Sequence, residues 1–285
     1  MNKRMESHMN RNRDSNKRLV IGNWKMKIDH NEGRELIHKL SHVLKDADDA
    51  DNAEVIVLPS FTAIHPVCQY AGKHHIPITI GAQTVSDVQG GAYTGDVSAS
   101  MLAALGCKYV LVGHSERKRY HHEDDACIRR KLRTILDAGM TPILCVGDNA
   151  EDHDATDQNS LTASTELRSP SSYDDESWAS VTGQLSVLSD LDPYETARIV
   201  IAYEPVWAIG TGNVPTVDEI DRMVSRIRHH VTQFHGAGRI PVLYGGSVNE
   251  DNADKIADIP SVSGVLVGGA SVDAEPFGKI IGAFI

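Results

Sequence analysis

The chain lacks most of what would mark a secreted, metal-binding, membrane or nucleic-acid protein. Its four cysteines (Cys68, Cys107, Cys127, Cys145) form no Cys-x-x-Cys pair and no metal-ligand spacing. Reduced, mostly buried thiols in a cytoplasmic protein are therefore expected, with no metal site. No apolar run approaches the length that crosses a bilayer. Positive charge is in deficit: the net charge of −11 argues against a general binder of nucleic acid or anionic membrane. No Gly-x-Gly-x-x-Gly or Walker pattern occurs, so nucleotide binding has no support.

What is present suffices for a packed core, with 41% hydrophobic and 24% charged residues over 285 positions. The acidity is local. Residues 148–177 hold nine acids against one base, Arg168, a charge of −8, so the remainder is close to neutral and an anionic substrate is admissible. Within this stretch, residues 148–173 are rich in Asp, Ser, Thr and Asn and cannot bury enough surface to offset the entropy of ordering. A long solvated insertion is expected there, not a second domain. Residues 1–18 carry six Lys/Arg and no apolar h-region, which excludes a standard secretory signal and predicts a disordered basic arm.

Between these segments the chain alternates. Short apolar runs at Leu19–Gly22, Val55–Leu58, Ile78–Ala82, Tyr109–Val112, Thr141–Val146, Ile199–Tyr203, Val242–Tyr244 and Val265–Val267 have strand length. Helical spacing follows them, as in Leu36, Ile37, Leu40, Val43 and Leu44, or Ile128, Leu132, Ile135 and Leu136, the latter closed by Gly139. Ile220, Met223, Val224, Ile227 and Val231 form another such stripe, opened by the capping-box pair Thr216 and Glu219. Strands each followed by a helix point to parallel pairing in an α/β fold. A doubly wound open sheet also fits, but eight units in this length favour a closed (β/α)8 barrel, a single domain over 19–285.

A barrel of this kind keeps its active residues at the carboxyl ends of its strands. Asn23 and Lys25 follow the first strand, Gln83 the third, His114 the fourth, Glu204 the sixth, Ser247 the seventh, and Gly268 and Gly269 the eighth. Glu204 precedes Pro205, which disfavours helical backbone at Glu204, and then comes an apolar loop punctuated by Gly210 and Gly212. This pattern suggests a base under a lid. His114, where a helical turn begins in Gly113-His114-Ser115-Glu116-Arg117, would stay neutral because a helix N-terminus disfavours imidazolium, and could donate to a carbonyl oxygen. Lys25 and the Asn23 amide would stabilise charge developing on that oxygen. Tyr244-Gly245-Gly246-Ser247-Val248 and Val267-Gly268-Gly269-Ala270-Ser271 would let backbone N–H groups approach an anion, and phosphate after the last two strands is the expectation.

Seven segments, in order, resemble the triosephosphate isomerase family: Gly22-Asn23-Trp24-Lys25-Met26, Gly81-Ala82-Gln83, Gly91-Ala92-Tyr93-Thr94-Gly95, Gly113 to Arg117, Ala202 to Gly212, Tyr244 to Ser247, and Leu266 to Ala270. The resemblance covers Leu19 to Ile285, interrupted by the acidic insertion. It implies a TIM barrel that interconverts dihydroxyacetone phosphate and glyceraldehyde 3-phosphate through an enediolate. It further implies Glu204 as base, His114 as neutral electrophile, Lys25 and Asn23 as electrostatic and hydrogen-bonding partners, and Glu116 as the carboxylate beside the site. Gly210, Ser247, Gly268 and Gly269 would clamp the phosphate, and the loop from Pro205 to Pro215 would be the lid. No metal or organic cofactor is implied. A homodimer is, with the loop around 83–95 docking into the partner and Thr94 supporting its site.

Asn213-Val214-Pro215 departs from the family, which usually has a basic residue at the lid's far hinge, and Thr84 stands where an Asn is usual. Two alternatives stay open from the residues alone: the same chemistry on a four-carbon sugar phosphate, and an inactive barrel used as a binding protein.

Overall fold

The structure, a computed structural model, describes residues 17–45, 52–147, 170–205, 215–238 and 240–285. The basic arm up to residue 16 and residues 148–169 of the acidic insertion lie outside the described residues, as do Gly210, Gly212 and Asn213 of the lid.

Eight parallel strands close into a barrel in sequence order: β1 (Arg18–Asn23), β2 (Ala53–Leu58), β3 (Thr79–Ala82), β4 (Tyr109–Val112), β5 (Thr141–Gly147), β6 (Val200–Glu204), β7 (Val242–Tyr244) and β8 (Gly264–Val267). Pairing of β1 with β8 completes the ring. The predicted α/β barrel is therefore the fold. Each strand is buried on both faces, which is why the runs read as continuous apolar stretches. Leu19 and Ile21 join Leu58, Leu111, Ile143, Cys145, Ala202 and Leu266 inside the barrel, whereas Val20 packs outward beneath the helices.

The surrounding helices are α1 (His30–Lys45), α2 (Phe61–Lys73), α3 (Ala99–Ala104), α4 (Ser115–His121), α5 (Asp125–Asp137), α6 (Pro170–Leu185), α7 (Pro193–Thr196), α8 (Val217–His235), α9 (Ala253–Ala257) and α10 (Ala274–Phe284). In α8 the predicted stripe from Ile220 to Val231 is buried, and the Thr216–Glu219 capping box forms in both directions. Such reciprocal bonds satisfy two N–H groups that a helix start leaves unpaired.

Several boundaries differ from the sequence reading, each for a physical reason. Asn23 and Glu204 close their strands instead of following them, because the ladder continues through Asn23↔Leu58 and Gly147↔Glu204. The strand also starts one residue early, at Arg18, whose N–H bonds to Asn52 O at 2.9 Å while its guanidinium bonds to Ala257 O. The segment after β4 divides into two helices at His122, which adopts φ 53° before Asp124 caps α5. Helix α6 starts at Pro170, inside the span assigned to the insertion; proline at a first helical position lacks only an N–H that would be unpaired there. It ends at Leu185, where a 3₁₀ turn (Ser186–Asp190) takes over. The short α7 escaped the periodicity reading, although Asp192 and Glu195 form a capping box around Pro193.

Candidate active site

The strand ends at the carboxyl rim bring Asn23, Lys25, His114, Glu116 and Glu204 together. His114 is the N-cap of α4, in extended backbone, and its Nδ1 accepts the Glu116 N–H at 3.2 Å. That bond uses the Nδ1 lone pair, so in the neutral ring the proton is assigned to Nε2. Nε2 lies 3.3 Å from Oε1 of Glu204. Both side chains are nearly closed off, 7% and 4% exposed, so their interaction is little screened by water. The imidazole thus presents an N–H at the rim, the form able to donate to a substrate oxygen.

Glu204 is held twice. Its Oε1 faces His114, and its Oε2 accepts the backbone N–H of Ser115, the first residue of α4, at 3.2 Å. A carboxylate at a helix start is favoured by the unpaired N–H groups there. Beneath it lies the fully buried Cys145; burial, then the Glu204 charge, pushes this thiol well above its ordinary range, so it stays protonated.

Lys25 departs from ordinary backbone geometry, with φ 53°. Non-glycine residues hold such a conformation only where neighbours enforce it. Asn23 Oδ1 accepts the Lys25 N–H at 3.1 Å, and Gln83 Nε2 donates to Lys25 O at 2.8 Å and to Leu58 O at 2.9 Å. The loops after β1, β2 and β3 are thereby clamped together, and the Lys25 Nζ reaches Glu116 Oε1 at 2.6 Å. With Asn23 Oδ1 occupied as an acceptor, its amide N–H groups remain for donation.

The glycine-rich turns close the other side. A Cβ on Gly268 would sit 3.5 Å from Lys25 Cε, which puts the β8 turn beside the ammonium. Gly269 starts a 3₁₀ turn (Gly269–Val272), and the buried Ser271 Oγ bonds to Gly268 O at 2.7 Å and Asn23 O at 3.3 Å. Ser247 follows β7, with its carbonyl accepting from Asn252 Nδ2 at 2.9 Å. A Cβ on Gly245 would come within 3.1 Å of Glu204 Cγ, so this turn runs against the base. Gly210 lies outside the described residues.

Four contributors escaped the sequence reading of roles: the Gln83 clamp, the Ser115 N–H, the Ser271 hydroxyl, and Gln184 on α6, whose Nε2 donates to Gly147 O at 2.5 Å. Gln83 was legible as a strand-end polar residue and Ser271 as part of a glycine-rich turn. A backbone N–H and a helix glutamine carry no local signal.

A family model described as triosephosphate isomerase matches residues 18–284. The chain is 42% identical over 267 residues to a triosephosphate isomerase of Bifidobacterium longum (strain DJO10A), covering 92% of this chain and 93% of that relative. To the Cutibacterium acnes protein of the same name it is 40% identical over 268 residues, covering 92% and 96%. Among solved structures, triosephosphate isomerase from Bartonella henselae is similar with a TM-score of 0.75 at 28% identity, covering 94% of this chain and 99% of that one.

Proposed function

The chain belongs to the triosephosphate isomerase family and is an aldose–ketose isomerase of triose phosphates, and we propose that Glu204 is the carbon base of that reaction, with His114 as its electrophile. Glu204 takes a proton from the carbon beside the substrate carbonyl. The Nε2–H of His114 donates to the carbonyl oxygen, and the resulting enediolate is stabilised by Lys25 and the Asn23 amide. His114 moves a proton from the hydroxyl oxygen of the first carbon to the former carbonyl oxygen, and return of the carbon proton from Glu204 to the neighbouring carbon converts dihydroxyacetone phosphate to D-glyceraldehyde 3-phosphate, or the reverse. Glu116 holds the Lys25 ammonium and, through its N–H, the His114 tautomer. The Ser115 N–H and His114 occupy the carboxylate at rest, so substrate must replace those two bonds.

Gly210, Ser247, Gly268 and Gly269 bind the phosphate, and the loop from Pro205 to Pro215 excludes water from the intermediate. The protein works without metal or organic cofactor, in the cytoplasm. It forms a homodimer through the 83–95 loop. Met26 and Tyr93, 97% and 54% exposed, support that reading, since they present apolar surface that a second copy would cover. Nucleic acid is not a partner for a chain of net charge −11.

The observation that carries the assignment is the His114 ring, poised between the Glu116 N–H and Glu204. Glu204→Gln tests it: turnover of glyceraldehyde 3-phosphate should fall by about 10⁴ or more, the upper end for a positioned base. A variant that turns over within tenfold of wild type, roughly 1.4 kcal/mol of barrier, overturns the base assignment.

A further inference from the structure

Lys118 is a partly buried cation beside the site that this chemistry leaves unused. Its N–H bonds to His114 O at 3.1 Å, one turn along α4, and its side chain folds inward past Gly113, where an added Cβ would lie 3.5 Å from Lys118 Cε. Burial pulls its ammonium below the ordinary lysine range, and the charges of Glu204 on β6, Asp125 on α5 and Glu123 before it oppose that shift. Yet the hydrogen-bond partner of the ammonium is a neutral amide, Gln184 Oε1, at 2.7 Å. A partly buried charge held by a neutral acceptor is a poor stabilising device.

The amide leads directly to the base. Gln184 Oε1 accepts the Gly147 N–H at 3.2 Å, while Gln184 Nε2 donates to Gly147 O at 2.5 Å and to Ser180 Oγ at 3.1 Å. Ser180 Oγ also donates to Gly147 O, at 3.1 Å. Both backbone groups of Gly147 are thus held from α6, and Gly147 is the register partner of Glu204. Helix α4, which supplies His114 and the Ser115 N–H, is therefore linked by Lys118 and Gln184 to the strand pair that carries the base.

We propose that Lys118 is a positioning residue for Glu204, fixing the end of β5 through Gln184 and setting its positive charge behind the carboxylate. The inference rests on the assignment of Glu204 as base.

The test compares Lys118→Met, Lys118→Gln and Lys118→Arg in the full chain, with kcat and KM for glyceraldehyde 3-phosphate and thermal melts of each. Met removes charge and donor, Gln keeps a donor without charge, and Arg keeps both. Lys118→Met and Lys118→Gln should lower kcat roughly 10- to 100-fold, as expected of a base misplaced by about an ångström. KM should stay within about twofold, because an interaction made only in the transition state is lost. Lys118→Arg should recover most of kcat. The proposal is overturned if folded Lys118→Gln retains kcat within about twofold of wild type, or if Arg fails to recover what Met loses. Activity lost only in proportion to the unfolded fraction also overturns it. Glu204→Gln in the same series separates the two readings. If Glu204→Gln keeps turnover, the base assignment fails whatever Lys118 does; if it is inactive while the Lys118 variants match wild type, only the Lys118 inference fails.

Discussion

Gly147 and Glu204 lie so close across the β5–β6 ladder that a Cβ on Gly147 would sit 1.8 Å from the Glu204 carbonyl oxygen. No side chain fits there without moving the backbone that carries the base. Gly147→Ala should therefore separate the two strand ends. A displacement near an ångström costs about 10²-fold in rate, so a kcat loss of that order is expected, together with a lower melting temperature. Steady-state kinetics with a thermal melt of the same preparation checks both.

His114 has two ring nitrogens with different partners, Glu116 N–H and Glu204. His114→Gln can keep the acceptor towards Glu116 and offer an amide donor, but it is a far weaker acid and base than imidazole. The fold should survive, with kcat falling about 10²- to 10⁴-fold. Near-unchanged circular dichroism beside this loss would separate chemistry from folding.

Lys131 and Glu123 form a buried pair away from the chemistry, both side chains 5% exposed, at 2.6 Å. Arg117 shares the same Glu123 oxygen at 2.7 Å, and Lys131 also donates to Thr84 at 2.9 Å, which anchors the start of the 83–95 loop. Removing Lys131 leaves Glu123 with Arg117 as its cation, whereas removing Glu123 leaves Lys131 buried without a carboxylate. Lys131→Met should cost about 1–3 kcal/mol in urea unfolding, and Glu123→Met about 3–5 kcal/mol.

His230 on α8 meets Trp178 of α6 edge-on at 5.7 Å and Phe234 at 4.6 Å, while Arg226 lies 4.4 Å over the Trp178 ring. Burial, with the His235 and His229 charges, lowers the His230 imidazole below its ordinary 6.5, and burial lowers His235 likewise. The unfolded chain therefore binds more protons than the folded one in this range. The stability these groups contribute is present above pH 6.5 and is lost as pH falls below it. The melting temperature should drop between about pH 7.5 and pH 5.5, and the drop should be smaller in a His230→Phe, His235→Phe variant.

Much of the barrel was legible because its information is local. An apolar run ended by a polar residue or a glycine marks a strand and its rim, and Asn23, Lys25, His114, Glu204, Ser247, Gly268 and Gly269 all stand at such ends. Strand ends were misjudged by a residue because a polar side chain stops an apolar run while its backbone goes on pairing, as at Asn23 and Glu204. Helix α6 begins inside the span read as insertion because residues 170–175 hold no aliphatic residue, and periodicity has nothing to register there.

By itself, the amino-acid sequence determined which residue types stand at each strand end, because strand and helix periods are written along the chain. Only the tertiary structure decided how they are held: Lys25 at φ 53° under Gln83, Glu204 on the Ser115 N–H, Gly147 between Glu204 and Gln184. Each of these relations joins elements far apart in sequence through a hydrogen bond to a backbone group or a close backbone approach. Such contacts have no period along the chain, and they exist only once closure of the barrel brings its strand ends onto one rim.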